Sequence, residues 1–199
     1  MEILFGIVIL ILSVVIHEVS HGYAAEALGD PTARLQGRLT LNPMRHLDPV
    51  GSVLVPLITW FAGGFILGWA KPVPYNPYNL RMGRWGEALV AAAGPASNIV
   101  LALVFGMVMR FAPVTGTLLE VLSFVVLINI VLAIFNLVPI PPLDGSKILF
   151  AFLPYRYGAI RAFLERYGLI VVFLFIFFLW RLLIPIIGFL FAVITGLSL

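Results

Sequence analysis

The amino-acid sequence predicts an all-α polytopic membrane protein: about four transmembrane helices, a re-entrant helix/strand segment and a kinked C-terminal helix, in one domain over residues 1–199. Three observations lead there. Of the residues, 62% are hydrophobic and only 11% charged, whereas a soluble domain carries roughly 25% charged residues. Apolar runs long enough to cross a bilayer lie near 3–28, 88–110, 118–138 and 168–187. Ten of the twelve Lys and Arg residues fall in two alternate connections between those runs.

The first run carries Glu2 as its only charge before the sequence HEVSH at 17–21. It lacks the basic start of a signal peptide and continues past any cleavage point, so it reads as a retained span. A fifth apolar stretch, PVGSVLVPLITWFAGGFILGWA at 49–70, contains two prolines and four glycines. The basic residues decide how to read it. Arg34, Arg38, Arg45, Lys71, Arg81 and Arg84 precede the second span, and Lys147, Arg156, Arg161 and Arg166 lie between the third and fourth. By the positive-inside rule both connections are cytoplasmic and the N-terminus is outside, in a multi-pass protein of the cell membrane. That holds only if 49–70 does not cross. The expectation is therefore a re-entrant segment, 49–77, entering as a short helix and returning as GWAKPVPYN, whose prolines suit an extended strand. Exposed strand backbone cannot sit in lipid, so it must line a protein cavity.

Residues 150–166, FAFLPYRYGAIRAFLER, mix aromatics with arginines and suit a separate interfacial helix. The tail 168–199 is apolar except for Arg181 and too long for one crossing, with Pro185 the place for a kink. There is no cysteine, which excludes disulfides and thiolate metal sites. Nucleic acid is not expected among the partners.

An ionisable side chain at bilayer depth costs about 2.5–3.5 kcal/mol even on the mildest scales. The first span places three within five positions. His17 and His21, four apart, share one helix face, where two imidazoles grip one metal ion. Glu18 stands beside them, about 100° around the helix, placed to take a proton from water. HExxH on a helix is the zinc metalloprotease signature. A catalytic zinc site usually has three protein ligands plus water. No Glu or His follows shortly after HEVSH. The remaining histidine, His46, reads as a cytoplasmic surface or hairpin residue. The better third ligand is Asp144 in NLVPIPPLDG, at the end of the third span. The first and third spans run in the same direction if 49–70 does not cross, which brings Asp144 to the histidines' side. Pro139, Pro141 and Pro142 forbid regular helix before it, tolerable at membrane depth where the chain lines a wet cavity.

HEVSH in the first span, GPASN at 94–98 and NLVPIPPLDG at 136–145 together resemble the site-2 protease family of intramembrane zinc metalloproteases. The resemblance covers most of the chain. It implies one Zn2+ held by His17, His21 and Asp144, Glu18 as catalytic base, and a transmembrane protein substrate cut within or near the lipid bilayer. It also implies that an unwound substrate is held by a strand-like re-entrant element and by asparagines, which by motif are Asn98 and Asn136. No segment suits a PDZ insertion or a CBS pair, as in the short members of that family. The rival reading is a membrane metal transporter or metal-binding protein, since intramembrane His, Asp and Glu also mark ion pathways. A transporter needs ligands along a route through both faces. Here they gather at one depth, with Glu18 among them.

Overall fold

The computed structural model describes residues 2–63 and 68–197, and every regular element among them is helical. The helices are α1 (Glu2–Ala27), α2 (Thr32–Leu35), α3 (Val55–Gly63), α4 (Arg84–Phe111), α5 (Gly116–Asn136), α6 (Asp144–Phe152), α7 (Gly158–Leu174) and α8 (Ile184–Thr195). Among the described residues, four helical stretches are long and apolar enough to span a membrane: Phe5–Ala27, Arg84–Phe111, Gly116–Asn136 and Gly158–Leu182.

Helix α4 is the centre of the bundle and packs against α1, α5, α6 and α8. The core between α4, α5 and α8 holds Ala102, Met109, Leu122, Val126, Ile130, Ile187 and Phe191. Each such aliphatic or aromatic side chain contributes by close contact, since lipid tails are as apolar as the core.

The end of α1 is specified locally. Gly29 takes φ +108°, and Asp30 N–H reaches Ala25 O while Gly29 N–H reaches Glu26 O, both at 2.9 Å. This left-handed stop satisfies the last carbonyls of the helix. It also turns Asp30, fully buried, under the chain that follows.

The 49–70 excursion returns to the point it left. Trp69 N–H bonds Gly51 O at 3.0 Å, Lys71 N–H bonds His46 O at 2.8 Å, and Arg81 N–H bonds Leu28 O at 2.8 Å. So α4 starts beside the end of α1, and α1 and α5 run in the same direction through the bundle. The turn of the expected re-entrant segment, 64–67, lies outside the described residues. The segment after it, where a strand is expected, has no regular structure and forms no ladder. Its Lys71, Val73 and Asn76 N–H groups go to three separate places: the His46 carbonyl, the Glu18 carboxylate and the Asp30 carboxylate.

One expectation is corrected. There is no single interfacial helix over 150–166. Helix α6 starts at Asp144 and ends at Phe152, before Pro154, and α7 starts at Gly158. The helical stretch long and apolar enough to span there is Gly158–Leu182. Arg161 and Glu165 pair along the first turns of α7 at 2.8 Å. Pro185 sits in the first turn of α8 instead of inside a continuous helix.

Candidate metal centre

Three acidic or imidazole side chains converge from two distant parts of the chain. His17 and His21 come from one face of α1, and Asp144 from the first turn of α6. All three are buried. His17 Nε2 stands 3.0 Å from His21 Nε2, and Asp144 Oδ2 stands 3.1 Å and 3.2 Å from the two nitrogens. The rings meet edge to face, 86° apart. Asp144 reaches this point because Gly145 lets α6 press on the Leu137 and Val138 carbonyls, where a Cβ would collide.

The hydrogen bonds behind the rings settle which atoms carry protons. His21 Nδ1 is 2.7 Å from the carbonyl oxygen of Val90, which can only accept. His21 Nδ1 is therefore the protonated nitrogen. His17 Nδ1 is 2.6 Å from Asn98 Oδ1 and likewise donates. In the neutral rings, the form that binds a metal, both Nε2 atoms then present bare lone pairs, and they do so to each other and to a carboxylate oxygen. Three unprotonated acceptors within 3.2 Å repel one another in a buried site unless a cation lies between them.

The donor set and the room both fit a divalent metal. Imidazole and carboxylate at about 2.0–2.2 Å from a tetrahedral zinc stand about 3.3–3.5 Å apart, close to the triangle observed. Gly94 supplies the space. A Cβ there would lie 2.5 Å from His21 Nε2 and 2.6 Å from His17 Nε2. Close packing of helices is one use of a small residue; at Gly94 the empty volume faces the ligand atoms.

Glu18 is half-buried beside His17 and does not join the triangle. Its Oε2 accepts the N–H of Val73 at 2.8 Å. Val73 belongs to the extended segment, which Arg38 grips from the other side: Nη2 donates to the carbonyls of Lys71 and Pro72 at 2.9 and 3.3 Å. Burial pushes the Arg38 guanidinium below its ordinary pKa, opposed by the charge of Glu18. Further on, the Asp30 carboxylate accepts Asn76 N–H at 2.7 Å, Asn79 Nδ2 at 2.9 Å and Thr32 Oγ1 at 2.6 Å.

Of the residues expected from the sequence, His17, His21 and Asp144 come together and Glu18 adjoins them. Asn98 is fully buried, with both ends of its amide engaged behind His17, so in this conformation it offers substrate no surface. Asn136 is half-buried at the end of α5, its Nδ2 bonded back to Leu132 O at 2.9 Å. His46 is buried away from the triangle, with Nε2 2.8 Å from Thr40 O. The sequence reading misses Ser13, Asp30, Arg38, Val73 and Asn129. Asn129 leaves a signal, an amide in the middle of a mostly apolar span. Val73 leaves none, because its contribution is a backbone N–H.

The chain matches the model of peptidase family M50 over residues 108–179. It is 41% identical over 175 residues to YwhC of Bacillus subtilis, named for a zinc metalloprotease, covering 83% of this chain and 76% of that one. It is 31% identical over 137 residues to Rip2 of Mycolicibacterium smegmatis, also named for a zinc metalloprotease, covering 68% of this chain and 52% of that one. A zinc metalloprotease of Methanocaldococcus jannaschii is 26% identical over 155 residues, with 78% of this chain and 36% of its own length covered. No solved structure matches the chain.

Proposed function

The chain belongs to peptidase family M50, the site-2 protease family, and on that premise we propose that it is an intramembrane zinc metalloprotease cutting transmembrane protein substrates within or near the bilayer. The observation that carries this reading is the convergence of three bare acceptors, His17 Nε2, His21 Nε2 and Asp144 Oδ2, beside a carboxylate that is not one of them.

One Zn2+ held by those three atoms would supply Lewis acidity, polarising the scissile carbonyl and acidifying a water. The remaining work falls to the protein. Val90 and Asn98 keep both imidazole lone pairs turned inward. Glu18 accepts the proton of the attacking water and delivers it to the nitrogen of the departing amine. Val73 N–H holds the Glu18 carboxylate in place while it does so. Asn136, eight residues before Asp144 and only half-buried, is the asparagine left to meet substrate.

An unwound substrate adding to the 71–77 segment would have to displace bonds that the resting chain makes. Lys71 and Val73 give their N–H groups to His46 and Glu18, and Pro72 and Pro74 have none. In this proposal 29–86 and 139–167 face the cytoplasm and the N-terminus lies outside, as the basic residues require. The site then lies about 10–15 Å below the cytoplasmic end of α1, at 1.5 Å per residue.

The test compares wild type with Glu18→Gln in bilayers, against a panel of single-span proteins. Wild type should cleave at least one of them. Glu18→Gln should keep its fold and its zinc but lose about 10²–10⁴ in the rate of hydrolysis, and it should crosslink to uncut substrate. A variant that cleaves at the wild-type rate, or a wild type that cleaves nothing while moving zinc across liposomes, would overturn the proposal.

A further inference from the structure

Behind the ligand face of α1 lies a second group of buried polar side chains, and it does not touch the metal triangle except through His17. It consists of Ser13 on α1, Asn98 on α4 and Asn129 on α5, the two asparagines at 0% exposure and Ser13 at 4%. Buried amides among membrane-spanning helices must find partners, and these do. Asn129 Nδ2 donates to Val125 O at 2.8 Å and to Ser13 Oγ at 3.0 Å. Asn129 Oδ1 accepts Asn98 Nδ2 at 2.8 Å. Asn98 Oδ1 accepts His17 Nδ1–H at 2.6 Å.

We propose that Asn129 is a positioning residue for the metal centre: acting through Asn98, it fixes the tautomer of His17 and so leaves Nε2 bare to bind metal. This rests on the reading above, in which His17 binds through Nε2. The reasoning concerns polarity. An asparagine amide has one accepting and one donating end, and in isolation either could face His17. The chain here is anchored at a group with no choice. Val125 O is a backbone carbonyl and can only accept, so the amide nitrogen of Asn129 must face it. The Asn129 oxygen then faces Asn98, whose nitrogen must turn towards it. That nitrogen is also 3.4 Å from the carbonyl of Ser13, a second acceptor of fixed polarity. The Asn98 oxygen is left for His17, and only a protonated Nδ1 can meet it. Turning either amide over would set oxygen against oxygen in a site where water cannot intervene.

The two histidines thus reach the same tautomer by different routes. His21 is set by one backbone carbonyl, Val90 O. His17 is set by two replaceable side chains spanning three helices, over sequence separations of 81 and 31 residues. That makes α5 part of the metal centre although it contributes no ligand.

The experiment uses the full chain in detergent or bilayers, with cobalt as the metal probe and 15N-histidine magnetic resonance to locate the ring protons. Asn129→Leu should weaken cobalt binding by about 10–100-fold, the usual effect of losing a partner behind a metal-binding histidine. It should also alter the visible spectrum of the cobalt protein. Asn98→Asp offers His17 an acceptor at either end. Its second oxygen would face Asn129 Oδ1, so in that background the further change Asn129→Leu should no longer weaken cobalt binding, a non-additivity that packing alone would not produce. In metal-free wild type above the histidine titration range, His17 should carry its proton on Nδ1. That measurement needs no variant to fold. A proton on Nε2 there, or cobalt affinity in Asn129→Leu equal to wild type, overturns the inference. A wild type that takes up no cobalt overturns instead the reading of the site, while the tautomer still tests the chain of amides.

Discussion

Val73 N–H donates to Glu18 Oε2 at 2.8 Å, across 55 positions of sequence. The catalytic candidate on α1 is thereby held by the backbone of a segment with no regular structure. A hydrogen bond to a charged group contributes about 1.5–3 kcal/mol. Val73→Pro removes the donor while keeping the extended conformation that Pro72 and Pro74 already favour. Turnover should fall by roughly tenfold or more, about 1.4 kcal/mol, with zinc content unchanged. Full activity in Val73→Pro would show that this contact does not position Glu18.

Gly94→Ala places a methyl group 2.5 Å and 2.6 Å from the two Nε2 atoms. Alanine is the better helix former by about 1 kcal/mol, so α4 itself is not weakened. The variant should fold and yet retain less than about a tenth of the wild-type zinc, the scale of loss expected when a metal centre is disturbed. Gly106→Ala is the control, since its methyl would collide with Ile194 of α8, far from the triangle. That variant should lose thermal stability but keep its metal. Zinc retained at the wild-type level by Gly94→Ala would move the metal site elsewhere.

Asp30 carries a pH dependence. Burial alone would raise its pKa, but hydrogen bonds from the Thr32 and Asn79 side chains and the Asn76 and Thr32 amides outweigh burial and hold it below its ordinary value. A carboxyl depressed in the folded state contributes stability that is complete above its unfolded pKa of about 3.9 and is lost as pH falls through the lower folded value. Protection of the Asn76 amide from hydrogen exchange, relative to its intrinsic rate at each pH, should therefore be high at pH 7 and fall only below about pH 4. Asp30→Asn sets an NH2 group against a donor, costing about 1–3 kcal/mol, and should expose 72–79 at neutral pH. Unchanged exchange in that variant would detach Asp30 from the segment.

The orientation is tested by single cysteines, which the native chain lacks. Tyr78 is 96% exposed and Phe111 73% exposed. A membrane-impermeant reagent applied to intact cells should label Phe111→Cys and spare Tyr78→Cys until the membrane is opened. The reverse pattern would invert the proposed topology.

The helices are legible because bilayer depth demands long apolar runs, and such runs are visible without any knowledge of packing. Arg161 and Glu165 look like loop residues until their pairing along the helix is seen. The extended segment is foreseeable from Pro72 and Pro74, but its bonding is not, since proline shows only which N–H groups are missing.

The sequence alone determined that His17 and His21 share a face, that Glu18 stands off it, and that no thiolate takes part. Each of these follows from helical spacing or composition, which are local. The sequence also pointed to Asp144, through span direction and resemblance; only the tertiary structure decided how closely it meets His17, 127 residues away, that Asn98 stands behind His17, and that Asn129 backs Asn98. In a soluble protein a polar face would have marked the side of each helix that points outward. Here lipid and core are equally apolar, so α1, α4 and α5 are hydrophobic all round, and the pattern along the chain does not say which side of a helix meets another. That side is chosen by packing, and packing decides which buried polar groups meet.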